Sequence, residues 1–198
     1  LACYNMMIPH IVKHLPKEQY QELMKLTKIP LQYSTIGLRN WRAVKEAGIG
    51  MAMSPGNMHQ AVNMDFPTSM GGYEYTNSPN DPCILHMRCC LQGDTHGAPA
   101  IQQFKEARYR MLGKKFSDYE AEIREHLTGM LPKNYFNFDR DVASITVNRW
   151  AHGYSYGKVS EIGVRPFGKI AIANSDASGS SLMNRAIEEA WRAVKELS

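Results

Sequence analysis

The sequence predicts an α+β fold, and three observations carry that prediction. First, Leu31 to Leu38 and Val142 to Trp150 alternate apolar and polar side chains and are rich in β-formers, so each reads as a strand. Second, Ile101 to Leu112 and Asp118 to Leu131 repeat apolar residues at helical spacing, with Ile123, Leu127, Met130 and Leu131 on one face. Third, helices and strands do not alternate regularly, as a doubly wound sheet requires. The sheet is therefore expected to be mixed or antiparallel.

Along the chain, Leu1 to Tyr4 reads as the end of a strand, stopped by Asn5 and Pro9. Pro16 to Leu26 follows as a helix with proline in its first turn, and Pro30 closes that unit. Trp41 to Ala47 is a short helical turn ended by Gly48, and Met51 to Pro82 is crowded with Gly, Pro, Asn and Ser. That crowding predicts loops and short strands over a site, or an irregular lid. Ile84 to Leu91 reads as a buried strand, and Gly93 to Pro99 as a turn. Ser117 is the expected N-cap of the second long helix, with Glu120 placed as in a capping box. The strand from Val142 runs on into Ala151 to Gly157. Lys169 to Ala173 is a last short strand, Asn174 to Ser181 a polar turn, and a helix opens from Leu182. Its Ala186, Ile187, Ala190, Ala193, Val194 and Leu197 share helical spacing.

Composition narrows the function classes. The chain has 198 residues, 43% of them hydrophobic, enough for one domain with a core or two modest lobes. No run approaches the ~20 apolar residues of a membrane span, and no signal-peptide pattern appears. The chain opens inside an apolar run, so an upstream segment is expected, and localisation is unknown without it. A net charge of +4 raises the question of nucleic acid. The lysines are spread among acids, as around Glu120-Ala121-Glu122-Ile123-Arg124-Glu125, with no basic aromatic stripe, so no nucleic-acid partner is expected.

Four cysteines, Cys3, Cys83, Cys89 and Cys90, are too few and too clustered for a disulfide framework. Cys83, His86 and Cys89 have metal-like spacing, but strand alternation puts His86 on the face opposite Cys83 and Cys89. Core cysteines and no metal site are expected.

Chemistry-bearing motifs are sparse. G-x-G-x-x-G, P-loop, G-x-S-x-G and H-E-x-x-H patterns are absent from the sequence, and Gly48-Ile49-Gly50 is broken by Met51-Ala52-Met53. What remains are two stretches. The C-terminal strand–turn–helix brings backbone N–H groups and a carboxylate together, as a nucleotide-binding junction does; a helix that merely caps a sheet reads the same way. Asn148-Arg149-Trp150-Ala151-His152-Gly153-Tyr154-Ser155-Tyr156-Gly157 gathers aromatic and cationic groups at a strand end, which suits either a flat ring or ammonium ligand, or a structural rim.

Together these stretches resemble the C-terminal region of flavin-containing amine oxidoreductases, in the spermidine dehydrogenase-like branch of the NAD(P)/FAD-dependent oxidoreductases. Asp65-Phe66-Pro67, Gly71-Gly72-Tyr73 and the opening Leu1 to Pro9 are also similar to that branch, so the resemblance covers most of the chain. It implies FAD as cofactor, held partly by a missing N-terminal segment with the dinucleotide-binding motif and partly by Asn174, Ser175, Asp176, Ala177, Leu182 and Met183. Asp176 would lie near the flavin's sugar-like chain. Amides at Leu182 and Met183 would face the pyrimidine edge. Trp150, Tyr154 and Tyr156 would form the catalytic aromatic wall, and spacing does not choose between the tyrosines.

The resemblance also implies domains: residues 1–30 as the end of an FAD-lobe strand with its connecting helix, 31–147 as the substrate-binding lobe, and 148–198 as the aromatic strand end and last FAD-lobe strand and helix. The fold would be incomplete by itself. The implied reaction is oxidation of an amine or polyamine at its C–N bond by hydride transfer to flavin, with Asp65, Glu74 and Asp94 as possible ammonium anchors. Two departures stand out. Ser175, Arg185 and Ala190 occupy positions where the family has glycine, and Leu31 to Leu38 lacks the lysine many relatives carry beside the flavin. The second departure favours a dehydrogenase over an oxygen-using oxidase. An inert fragment or a non-catalytic binding domain of the same fold is the alternative.

Overall fold

The structure is a computed structural model that describes residues 1–157 and 159–198. In chain order it contains α1 (Ile8–Ile11), α2 (Lys17–Met24), β1 (Thr27–Leu38), α3 (Arg42–Glu46), β2 (Met51–Met53), β3 (Ala61–Met64), β4 (Cys83–Cys90), α4 (Ala100–Gly113), α5 (Phe116–Met130), α6 (Phe138–Asp141), β5 (Val142–Tyr156), α7 (Glu161–Val164) and α8 (Met183–Leu197). Single 3₁₀ turns lie at Asn5–Met7 and Ser175–Ser178. The strands form one sheet in the order β2-β3-β4-β1-β5, and the β2–β3, β3–β4 and β4–β1 pairs are antiparallel. The α+β class with an antiparallel sheet is as the sequence predicts.

The chain divides into two compact units: Leu1–Pro30, Gln92–Glu106 and His152–Ser198 form the first, Leu31–Leu91 and Ala107–Ala151 the second. The second unit holds the larger core. Strict alternation along β4 buries Cys83, Leu85, Met87 and Cys89 and leaves Ile84, His86 and Arg88 on the other face. Antiparallel register extends that face to β1 and β3: His86 pairs with Thr35 and Asn63, and Arg88 with Tyr33 and Ala61. Ile36, Leu38, Val62, Leu85 and Met87 pack against Ile123, Leu127, Leu131, Phe136 and Phe138. Gly37 lets β5 approach β1, since a Cβ there would meet Ser144 Oγ at 2.5 Å. In the first unit a smaller core joins Ile8, Val12, Leu23, Leu26, Val159, Ile172 and Ala177.

Several expectations need correction. Leu1 to Tyr4 and Lys169 to Ala173 are not strands; they are extended segments tied by the Ala173 N–H to the Leu1 carbonyl at 2.8 Å. The Leu1 amino group also donates to the Ala171 carbonyl at 2.6 Å, and two ties between such short pieces make too little ladder to count as sheet. β1 begins at Thr27, not Leu31, because Pro30 sits inside the strand instead of ending the unit before it. α5 starts at Phe116, with Lys115 as N-cap in place of Ser117: the Asp118 carboxylate accepts the Lys115 N–H at 2.9 Å, which fixes the helix start two residues early. The apolar stripe of α8 is also not a core stripe. Ala193 is buried, whereas Met183, Ile187, Trp191, Val194 and Leu197 are exposed. Small and polar residues form the packed side, where the Arg192 guanidinium donates to the Ile172 carbonyl at 2.6 Å.

The core-side face of the sheet also carries polar groups. Gln32 and Ser34 lie within 3.0 and 3.1 Å of His59 Nε2, and His126 Nε2 lies 2.9 Å from Ser54 Oγ. His59 is 1% exposed, and burial first, then the charges of His126 and Lys114, pushes its pKa down to about 4 from 6.5. Burial lowers His126 as well.

A neutral buried imidazole makes the protein acid-sensitive. Below the unfolded-state pKa the unfolded chain takes up a proton that the folded His59 refuses, so stability is full above pH 6.5 and falls as pH drops toward 4. The loss from His59 alone is about 3 kcal/mol at pH 4. Urea midpoints at pH 7 and pH 4.5 measure it, and His59→Asn should flatten the slope between them.

Candidate functional site

In the first unit the chemistry-bearing groups converge on Asp176. The Asn174 side chain caps the 3₁₀ turn by accepting the Ala177 N–H at 3.0 Å, and its amide donates to the Cys3 carbonyl and Asn5 Oδ1, both at 2.7 Å. That capped turn holds Asp176, which is 2% exposed. Asp176 Oδ1 accepts from Lys28 Nζ at 2.7 Å and from Ser155 Oγ at 2.7 Å, while Oδ2 is buried without a partner. The Lys28 ammonium lies 4.0 Å from the Tyr4 ring centroid, and the Tyr4 hydroxyl donates to the His152 carbonyl. The network continues to the final helix, because Ser181 Oγ accepts the Ser155 N–H at 2.9 Å.

α8 then opens at Met183 with Leu182 as N-cap, which makes no side-chain cap. Its first-turn amides receive nothing from the capping side chain, and both Leu182 and Met183 are exposed. The turn before it is closed by Gly179 in the left-handed region, φ +71°.

The six expected cofactor residues therefore do different things. Leu182 and Met183 present open backbone and apolar surface, and Ser175 is part-exposed. Asn174 spends its side chain on holding the turn, and Ala177 is core. Asp176 is shut inside the unit by Lys28 and Ser155 and is not an open carboxylate. Lys28 is the residue that the sequence pattern hides. Leu31 to Leu38, the stretch where the resemblance implies a lysine, has none; Lys28 stands earlier, at the second position of β1. The signal lies in Thr27-Lys28-Ile29, a β-prone piece masked by the Pro30 after it.

The aromatic residues fall in different units. Trp150 belongs to the second unit and is 56% exposed. Tyr154 and Tyr156 belong to the first and are half-exposed, with Tyr156 edge-on to Phe104 at 5.1 Å. All three sit at alternating positions of β5, an edge strand of the sheet.

The second unit has two cavities over the open face of its sheet. One, of about 510 Å³, is lined by Tyr73, Glu74, Tyr75, Asp81 and Cys83 among others. Its neighbour, of about 440 Å³, is lined by Tyr33, Asp65, Phe66, Tyr75 and Arg88 among others. His86 Nε2 stands 3.0 Å from Asp65 Oδ1, and this bond, then the Phe66 N–H, holds the Asp65 carboxyl below its usual range against the opposing effect of burial. Of the three anchors expected, Asp65 and Glu74 line cavities; Asp94 belongs to the first unit. Burial first, then the Asp65 charge, pushes the Cys83 thiol up to about 12, which removes a thiolate nucleophile. Among the described residues no group of His, Cys, Asp or Glu is arranged to hold a metal ion.

No family model and no curated protein sequence matches the chain. Solved structures do. Cyclohexylamine oxidase from Brevibacterium oxydans IH-35A superposes with a TM-score of 0.67 at 12% identity, over 100% of this chain and 41% of that one. Wild-type putrescine oxidase bound to putrescine superposes with a TM-score of 0.64 at 14% identity, over 98% of this chain and 41% of that one. The chain thus shares its fold with a part of these amine oxidases and spans about two fifths of their length.

The Lys28–Asp176 pair is testable apart from any activity. Each side chain is 3% exposed, and removing one partner leaves the other charge buried and uncompensated. In the intact protein Lys28→Met or Asp176→Leu is expected to cost about 3–5 kcal/mol in urea denaturation. The double variant should recover much of that loss, because no lone charge is then buried.

Proposed function

We propose that this chain is the C-terminal part of a longer FAD-dependent amine oxidoreductase that oxidises a substrate at its C–N bond. The single observation that carries the reading is the Lys28–Asp176 pair, linked through Ser155 and Ser181 to the open start of α8, in a fold shared with cyclohexylamine and putrescine oxidases. The residues present fit the flavin half of such a cofactor: an uncapped helix start, a glycine turn beside it, and a buried ammonium with a fixed direction. The sequence has no motif for the ADP half, which falls to an N-terminal segment. We assign the first unit to the FAD lobe and the second to substrate binding.

FAD, when bound, supplies the acceptor for a hydride from the carbon beside the nitrogen. This chain's residues do the rest. Asp176 fixes the Lys28 ammonium so that it points one way without reorganising, which is how a preorganised charge favours negative charge developing nearby. The amides of Leu182 and Met183 act in the same sense. Trp150, in the unit assigned to substrate binding, guides the amine by its aromatic face. Water cleaves the imine product, so no protein nucleophile is required. Lys28 on β1 also removes the argument against an oxidase, leaving both oxygen and another acceptor within the proposal. A diamine or polyamine is its narrower form, supported by Glu74 and Asp81, which line one cavity with no basic side chain.

The test is anaerobic titration of the full-length flavoprotein with alkyl monoamines, diamines and polyamines. Flavin bleaching by at least one class is expected. Trp150→Ala should keep its flavin and lose about tenfold in kcat/KM, the equivalent of about 1.4 kcal/mol of aromatic contact. A flavin that no amine bleaches overturns the proposal, as does a 198-residue chain that alone retains stoichiometric FAD on gel filtration.

A further inference from the structure

The open face of the second unit's sheet carries a group that the flavin chemistry does not use. Asp65 lies just past β3, and its backbone is fixed by its own N–H donating to the Ile84 carbonyl at 2.9 Å. Oδ1 is fully occupied, by His86 Nε2 at 3.0 Å and the Phe66 N–H at 2.9 Å. Oδ2 makes no hydrogen bond among the described residues, and the carboxylate, 27% exposed, lines the 440 Å³ cavity. An ionised carboxylate only accepts, so the proton between Asp65 and His86 belongs to Nε2. His86 Nδ1 is buried without a partner among the described residues. Asp65 is therefore oriented by His86 through Oδ1, which leaves Oδ2 for a ligand.

The walls around this oxygen are aromatic. Tyr33, whose ring centroid is 5.4 Å from that of His86, and Phe66 and Tyr75 line the cavity with Met51 and Pro67. A fixed carboxylate among aromatic faces recognises an organic ammonium group, by charge at one point and by cation–π attraction around it. We propose that Asp65 receives the ammonium group of the substrate, with His86 as the positioning residue that presents it. This deepens the proposed amine oxidation and rests on that reading for the chemistry after binding.

Arg88 gives the cavity a direction. It lines the same space, and its Nε is buried without a partner. A second cation is repelled on that side. Past Tyr75, which lines both cavities, Glu74 and Asp81 line a space with no basic side chain among the described residues. A substrate with a second positive charge therefore extends past Tyr75 and away from Arg88.

The probe is tetramethylammonium, which carries the charge but has no lone pair to form an imine, with its affinity for the full-length protein read by calorimetry. Asp65→Asn keeps the shape and removes the charge; it should weaken binding about tenfold. His86→Gln retains an N–H donor near Nε2 and should bind within about twofold of the parent, whereas His86→Leu should match Asp65→Asn. Arg88→Met should tighten binding severalfold, a gain that a misfolded variant does not produce. Parental affinity in Asp65→Asn or in His86→Leu overturns the assignment, and so does no gain in Arg88→Met. The two proposals fail separately. This pattern with a flavin that no amine bleaches leaves the ammonium site standing without amine oxidation, and bleaching with an unchanged KM in Asp65→Asn does the reverse.

Discussion

The first unit depends on a buried charge being met by a buried charge. Lys28 and Asp176 come from positions 148 residues apart, and neither tolerates its place without the other. Taking two ions out of water costs several kcal/mol each, so a fold that does so must fix both partners closely enough to recover the cost. The surrounding side chains serve that end. Asn174 caps the turn that holds Asp176, Ser155 supplies a second donor, and the Tyr4 ring covers the ammonium. An apolar pair would stabilise the unit as well or better. Asp176 Oδ2 has no hydrogen-bond partner among the described residues, and in the proposed enzyme the pair serves to direct the ammonium.

The same unit leaves apolar surface uncovered. Met183, Ile187, Trp191, Val194 and Leu197 lie at helical spacing on α8 and all face outward, while the packed side consists of Ala193 and polar neighbours. Amphipathic helices ordinarily do the opposite. A contiguous apolar stripe of this length on an outer helix marks a surface that something covers. Solved structures of the same fold are more than twice as long as this chain, which supplies ample polypeptide for that role within the proposed longer protein.

Much of this architecture was legible in the sequence. The alternation of Cys83, Leu85, Met87 and Cys89 against His86 set both faces of β4 correctly, because a two-residue period has one solution once one face is buried. The long helices and β5 were legible for the same reason: their periods are local. What failed was decided by distant partners. Lys169 to Ala173 has strand-like composition, but Ile170 closes a tight turn on Phe167 and the residues after it meet only the short opening at Leu1 and the Arg192 side chain among the described residues, so no strand forms. Thr27-Lys28-Ile29 is hidden because Pro30 reads as a stop, although a strand tolerates proline where no ladder N–H is needed. The burial of Asp176 was not legible either, since nothing in a turn sequence states that a lysine 148 positions away will close over it.

The two faces of the second unit's sheet show how one residue type takes opposite parts. On the core side His59 is 1% exposed and surrounded by Gln32, Ser34 and His126, all neutral at pH 7, and burial holds its pKa near 4. Such an imidazole neither binds a charge nor moves a proton at physiological pH; it fills space and fixes hydroxyls. Across the sheet His86 meets an ionised carboxylate, an aromatic ring and an open cavity. There the imidazole has a partner whose charge it directs. His59 comes from the loop between β2 and β3 and packs on the buried side, whereas β4 alternation carries His86 to the other face, so the same side chain meets opposite surroundings.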